Sequence, residues 1–241
     1  MTPRIILASA SPARLRVLRW AGLRPEVMVS GVDEAEVDPL PVAQTTLVLA
    51  RRKAAAVAAR LVDDGPALVI GCDSLLEFDG RAEGKPASAA AAVALWRRMR
   101  GGEGLLHTGH CLIDAETGSE VSAVDTSEIR FGNPTDAEID AYVATGEPLG
   151  VAGAFTLEGF GAAWIDSIDG NYGAITGLSV PVLRRLLRQL DIEIVDLWDT
   201  TGRPENGPAD PGYLDTDGPG DGPADRPPGE DQAPEPRPGR G

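Results

Sequence analysis

The residues that could do chemistry here are few and oddly distributed. Among 22 basic residues only Lys53 and Lys85 are lysines. An ammonium is a compact point charge suited to a single phosphate oxygen, whereas a guanidinium is a planar fork. Lysine kept at two positions of an arginine-rich chain points to anion contacts, with survival by chance as the plainer alternative. Carboxylates supply the other half of a possible site. Asp73 closes the apolar run Ala67-Leu68-Val69-Ile70-Gly71-Cys72, while Asp33 and Glu34 lie in the acidic loop at residues 31–36. The loop acids read either as solvated charge or as metal ligands. Asp73 is the stronger candidate, because ligands of α/β sheets gather at the carboxyl ends of strands.

A third stretch, Leu7-Ala8-Ser9-Ala10-Ser11-Pro12-Ala13-Arg14, carries the features of an anion site. The apolar residues 4–8 predict a short strand. Ser11 is a good N-cap, and Pro12 at the next position has a pre-set φ and no amide hydrogen to leave unpaired. The predicted helix runs over residues 12–21 and stops at Gly22. A strand feeding a capped helix aims free N–H groups at one point, and Ser9 and Ser11 add hydroxyls. Arg14 lies in the first turn, where the helix dipole disfavours a cation; a bound anion would explain it, and an ordinary turn with a surface arginine is the alternative.

The elements that must position these groups follow from periodicity. Residues 25–30 predict a second strand. A long helix is expected over residues 42–61, with Leu47, Ala50, Ala54, Val57 and Leu61 as its core stripe. At about 100° per residue, Lys53 falls roughly 70° from the middle of that stripe, so it is expected at the margin with its stem buried and its amine in a cleft. A buried strand over residues 67–72, a small hairpin over 75–83 turning at Asp79-Gly80, and a helix over 86–100 come next. Val93, Trp96 and Met99 mark that helix's inward face. Residues 105–114 and 120–131 predict paired strands. His107 and His110, three apart on a strand, fall on opposite faces and make a poor shared metal site. Asn133-Pro134-Thr135-Asp136 caps a helix to about Thr145. A glycine-rich stretch of turns leads to a helix ending near Gln189, and residues 192–197 predict a last strand.

Composition bounds the function. The net charge is −15, and no basic run is longer than Arg51-Arg52-Lys53. Nucleic-acid binding needs clustered cations, so it is not expected. An acidic protein handling a polyanion should recruit a divalent cation. Cys72 and Cys111 are the only cysteines, with no CxxC; they could bridge, but two buried thiols in a reducing cytosol is the plainer reading. No apolar run approaches the roughly 18 residues of a membrane span, and no signal pattern opens the chain. A cytoplasmic protein is expected. From Asp199 the composition turns to Pro, Gly, Asp and Glu, with ten acids and four arginines. Such a segment cannot bury enough surface to offset its ordering entropy. The expected organisation is a folded domain over residues 1–198 and a disordered acidic tail over 199–241.

Taken in order, several motifs resemble those of the Maf family. They are the Leu7 to Arg14 stretch, Leu49-Ala50-Arg51-Arg52-Lys53-Ala54, Gly71-Cys72-Asp73-Ser74, Gly84-Lys85-Pro86, Tyr142-Val143-Ala144-Thr145-Gly146-Glu147-Pro148, Ala152-Gly153-Ala154-Phe155 and Gly177-Leu178-Ser179. The resemblance covers about residues 4–190. It implies an α/β fold, with a mixed twisted sheet and flanking helices forming two lobes around a central cleft. It also implies a nucleoside triphosphate pyrophosphatase that releases the monophosphate and diphosphate and needs Mg²⁺ or Mn²⁺. Asp73 matches the family's proton acceptor, and Ser9, Arg14, Glu34, Lys53 and Lys85 match other cleft positions. Ala13 replaces an arginine of the family pattern, Ser74 a threonine, Glu158 a glutamine and Gly104 a histidine. The first three tune base selection in the branch acting on dTTP and UTP, so a broader or different preference is expected, with non-standard nucleotides among the candidates.

The residues fit that reaction class. Hydrolysis between the α and β phosphates needs an activated water, charge neutralisation and in-line positioning. Asp73 and Glu34 could hold the metal, and Asp73 could instead take the proton directly. Arg14, Lys53 and Lys85 would grip the phosphates with Ser9 and Ser11. Ser74 and Glu158 would read the base, where an acceptor-only glutamate favours a guanine or cytosine edge. The expected partners are a nucleoside triphosphate and a second copy in a homodimer, with neither nucleic acid nor membrane. Competing readings are a nucleotide-binding regulator of cell division without turnover, a phosphatase releasing the terminal phosphate, and a scaffold acting through its tail.

Overall fold

The computed structural model describes residues 3–34, 40–61 and 65–200. Residues 35–36 of the acidic loop, and the expected tail beyond its first two residues, lie outside that description. Among the described residues the strands are β1 (Arg4–Leu7), β2 (Glu26–Val27), β3 (Ala67–Phe78), β4 (Arg81–Glu83), β5 (Glu103–Asp114), β6 (Glu120–Phe131) and β7 (Ile165–Asp169). The helices are α1 (Pro12–Trp20), α2 (Val42–Ala58), α3 (Ala89–Met99), α4 (Asp136–Ala144), α5 (Tyr172–Ile175) and α6 (Val180–Gln189). The strands form one mixed sheet in the order β2-β1-β3-β5-β6-β7, with β4 also paired to β3.

The pairing of β3 creates the opening on which everything else depends. One edge of β3 is covered by β5 from Leu68 to Glu77. The other edge is shared: β1 runs parallel to residues 67–70, and β4 runs antiparallel to residues 76–78. Between them no described strand pairs with residues 71–75. Asp73 and Ser74 lie in that gap. The expected strand over 67–72 is therefore part of a longer one, and Asp73 sits mid-strand rather than at a tip. What ends at this level is β1, whose chain turns away after Ala8 donates to the Ile70 carbonyl at 2.8 Å.

Successive residues of a strand face opposite sides of the sheet, and each side here has its own core. Ile70, Cys72 and Leu112 pack with α1 and α6 residues such as Leu18, Val182 and Leu186. Val69, Cys111 and Ile113 pack beneath Ala50, Ala54 and Val57 of α2. A third cluster surrounds Trp96, which meets Phe131, Tyr142 and Trp164 edge-on at 5.7–6.2 Å between ring centroids. Its indole N–H donates to the Ala154 carbonyl at 2.7 Å, a buried polar tip with the partner it needs.

Close approach of α2 requires two glycines. A Cβ at Gly71 would lie 2.2 Å from the Ala50 carbonyl oxygen, and one at Gly109 would lie 2.3 Å from that of Thr46. Without side chains at these points the helix lies almost on the strands. That placement explains a departure from the helical-wheel expectation: Lys53 is 7% exposed and belongs to the buried face. Two strands also differ from expectation. Residues 25–30 contribute only the two-residue β2. Residues 192–197 form a 3-10 turn over Ile194–Leu197, which buries Ile194 and Leu197 three apart.

Candidate active site

Ser11 caps α1 as its sequence predicts, its hydroxyl accepting from the Arg14 amide at 3.4 Å. The capped turn points the Arg14 side chain back toward β3. Three acceptors fix the guanidinium: the Gly177 carbonyl takes Nε–H at 2.9 Å, Ser9 Oγ takes Nη1–H at 3.0 Å, and Ser74 Oγ takes Nη2–H at 3.2 Å. A guanidinium has five N–H groups, so two remain beyond these contacts. Ser74 Oγ passes the chain to Thr108 Oγ1 at 3.0 Å, which itself donates to the Ala174 carbonyl at 2.8 Å.

On the other side of the sheet, Lys53 Nζ donates to both Asp73 Oδ1 and Glu34 Oε1, at 2.6 Å each. The two carboxylates share one ammonium but not one environment. The side chain of Asp73 is 6% exposed and that of Glu34 is 53% exposed. Burial pushes the Asp73 carboxyl above its ordinary range, despite the Lys53 charge and hydrogen bond and the Arg14 charge that oppose it. Burial also acts on Glu34, but there the hydrogen bond and charge of Lys53, with Lys85 and Arg14, hold the carboxyl below its ordinary range. Burial and the shared ammonium thus drive the two carboxyls apart, Asp73 up and Glu34 down.

These groups line a single cleft of about 720 Å³, together with Ser9, Ser11, Lys85, Ser74 and Glu158. The gap in β3 explains how Asp73 from one sheet face and Ser74 from the other can meet the same space. Among the described residues the Lys85 ammonium has no hydrogen-bond or ion-pair partner, leaving it available to an anion. Its position is set from below, where Gly153 N–H donates to the Gly84 carbonyl at 3.1 Å. Leu75, Leu106, Phe155 and Ile175 give the cleft an apolar stretch beside its charged end.

Nine of the residues singled out in the sequence line this cleft, Asp33 of the acidic loop does not, and two of the nine reach it differently from expectation. The Ser74 hydroxyl is held between Arg14 and Thr108, so its observed work is to orient the arginine. Glu158 pairs with Arg16, so the edge it presents is a mixed donor and acceptor surface rather than an acceptor alone. The expected metal set is small. Among the described residues no group of three or more His, Cys, Asp or Glu side chains converges. His107 bonds to Thr126 and Glu77, and His110 accepts from the Ser179 amide.

Other participants gave little signal in the sequence. Glu147 accepts from Thr156 Oγ1 and, at 3.0 Å each, from the amides of Phe160 and Gly161. It thereby holds the loop that carries Glu158. Burial opposes its charge, but these three donors outweigh it and lower its carboxyl below the ordinary range. A Cβ at Gly159 would lie 2.2 Å from Glu147 Oε2, so this carboxylate can occupy its place only beside a glycine. Arg16, two residues beyond Arg14 on a helix, should point elsewhere by spacing alone and reaches the cleft through its length.

A family model described as "Maf-like protein" matches residues 4–190. Proteins named nucleoside triphosphate pyrophosphatase are similar along nearly their whole length. One from Streptomyces coelicolor is 57% identical over 202 residues, covering 82% of this chain and 98% of its own. One from Salinispora tropica is 52% identical over 197 residues, covering 81% and 87%. One from Synechococcus elongatus is 51% identical over 202 residues, covering 83% and 99%. A solved nucleoside-triphosphatase (dITP/XTP pyrophosphatase) from Mycobacterium abscessus aligns over 53% of this chain and 74% of that one, at 18% identity and a TM-score of 0.28, a likeness too slight to inform the fold.

Proposed function

Since the chain belongs to the Maf-like family, we propose that it hydrolyses nucleoside triphosphates between the α and β phosphates, releasing a nucleoside monophosphate and diphosphate. The observation that carries this reading is the convergence of one buried carboxylate and three cations from separate segments on a single cleft.

Asp73 takes the proton from the attacking water. An unperturbed aspartate is a weak base near neutrality, and its burial is what strengthens it here. Lys53 keeps the carboxylate oriented and, being held between Asp73 and Glu34, can exchange one of them for a phosphate oxygen. Arg14 offers its two remaining N–H groups to the phosphates, in a geometry already fixed by Ser9, Ser74 and Gly177. Lys85 supplies a cation that, among the described residues, no carboxylate holds in an ion pair. Preorganised charge of this kind favours the transition state because little reorganisation accompanies the reaction.

The residues present suit a divalent cation. Glu34 and Asp73 both bond the Lys53 ammonium, so their carboxyl groups lie close together at the charged end of the cleft. Magnesium is commonly held by one or two carboxylates completed by substrate phosphates and water. Glu34, kept ionised, and Asp73 would be its ligands. Such an ion supplies Lewis-acid polarisation of a phosphoryl oxygen and lowers the pKa of a bound water.

The test is identification of products from a panel of standard and modified nucleoside triphosphates. Monophosphate and diphosphate in equal amounts, silenced by EDTA and restored by Mg²⁺ or Mn²⁺, are expected. Diphosphate nucleoside with inorganic phosphate would indicate cleavage at the terminal phosphate instead, and turnover indifferent to EDTA would remove Glu34 and Asp73 from the metal role.

A further inference from the structure

We propose that His110 is a positioning residue for substrate phosphate: as a buried neutral imidazole it fixes, through the Gly177–Ser179 backbone, the orientation of the Arg14 guanidinium. The proposal rests on the assignment of Arg14 to the phosphates made above.

His110 lies on β5 and is 1% exposed. Its Nε2 accepts the Ser179 backbone N–H at 2.8 Å. A nitrogen that accepts carries no proton, so the proton is on Nδ1 and the ring is neutral. Nδ1 makes no full hydrogen bond among the described residues, with only the Thr108 and Ala123 backbone near the ring, so the Ser179 contact is the well-formed bond that this imidazole makes. Burial, with the charges of Arg14 and Arg185, drives the imidazole pKa down to about 4, so the neutral acceptor persists through the physiological range.

Ser179 is the N-cap of α6, its hydroxyl accepting from the Val182 amide at 3.4 Å. Two residues earlier, the Gly177 carbonyl receives Arg14 Nε–H. A Cβ at Gly177 would lie 3.1 Å from Arg14 Cγ and Nε, on a backbone at φ +113°. The arginine is thus seated against this turn and not merely near it. Thr108 shares the face of β5 that His110 occupies, and it grips the same segment at the Ala174 carbonyl. One strand face therefore pins the α5–α6 connection at two points, and between those points lies the carbonyl that aims Arg14. Thr108 also acts on Arg14 through Ser74, whereas His110 acts only through the turn.

A double-mutant cycle measures this coupling. In the full-length protein, His110→Val should raise KM for the preferred triphosphate about tenfold, because the Ser179 N–H loses its acceptor in a buried place. His110→Gln, whose amide oxygen can stand near the position of Nε2, should return KM to within about twofold of wild type. In an Arg14→Ala background His110→Val should add less than about twofold, since the group it orients is gone. Additive effects on KM, or a His110→Gln variant as poor as His110→Val, would overturn the proposal. An Arg14→Ala variant with wild-type KM would overturn both this inference and the phosphate role of Arg14, whereas additivity with a damaged Arg14→Ala overturns this inference alone. Should His110→Val fail to fold, His110→Asn, whose shorter amide cannot reach Ser179, replaces it in the same cycle.

Discussion

Asp73 and Glu34 are both acids beside one lysine, yet only Asp73 is proposed as the base. Burial decides between them, because removing water penalises a carboxylate more than a shared ammonium can repair. The consequence is visible in the pH dependence of kcat/KM, which reports ionisations of the free enzyme. Activity requires Asp73 unprotonated, so it falls as pH drops through the raised Asp73 pKa. The acid limb of the wild-type profile should lie above the ordinary aspartate value of about 4. A limb at that ordinary value would mean that Asp73 is not the ionisation controlling turnover. At this scale much could be read from the sequence. Lysines surviving in an arginine-rich chain, and a carboxylate after an apolar strand, are signals of residue type. The roles of Glu147 and His110 were illegible because they rest largely on backbone amides, which have no identity in a sequence.

The cleft is a break in strand pairing, and that is a property of elements. β1 stops covering β3 at Ile70 and β4 resumes at Leu76, so residues 71–75 leave one edge open where side chains of both sheet faces reach one cleft. The sequence predicts strands on either side of Asp73 but not their continuity, since a polar pair within an apolar run looks like an ending. The wheel for α2 likewise places Lys53 at a margin, whereas contact at Gly71 and Gly109 brings the whole lower face of the helix onto the sheet. Residues 192–197 read as a strand because apolar residues alternate there, but Ile194 and Leu197 satisfy the core by a 3-10 spacing. The glycine contact carries a prediction. Gly71→Ala places a methyl against the Ala50 carbonyl, and overpacking of this kind costs about 1–3 kcal/mol. The urea midpoint should fall, with the slope of the transition preserved. A midpoint equal to wild type would show that α2 does not need this approach.

For the whole molecule the central tension is electrostatic. A chain of net charge −15 has to receive a substrate that is itself strongly anionic. The cations that resolve it are local: Arg14, Lys53 and Lys85 face the cleft, while other arginines such as Arg4, Arg51 and Arg130 pair with surface glutamates. Among the described residues no helix is long and apolar enough to cross a membrane. Every group assigned to substrate lies between Ser9 and Glu158, well before the acidic C-terminal segment. Removing residues 201–241 should therefore leave kcat and KM unchanged in a steady-state assay at fixed ionic strength. A several-fold change in either constant would give that segment a part in turnover.

Replacement of Asp73 by asparagine bears most directly on the whole account, because it keeps the shape of the side chain and removes its negative charge, and with it the basicity and the ligand strength assigned to it. Turnover should fall to the background of the assay, while a nucleoside triphosphate still binds in a direct titration and the thermal transition stays cooperative. A Asp73→Asn protein that hydrolyses triphosphate at the wild-type rate would contradict the account at its centre.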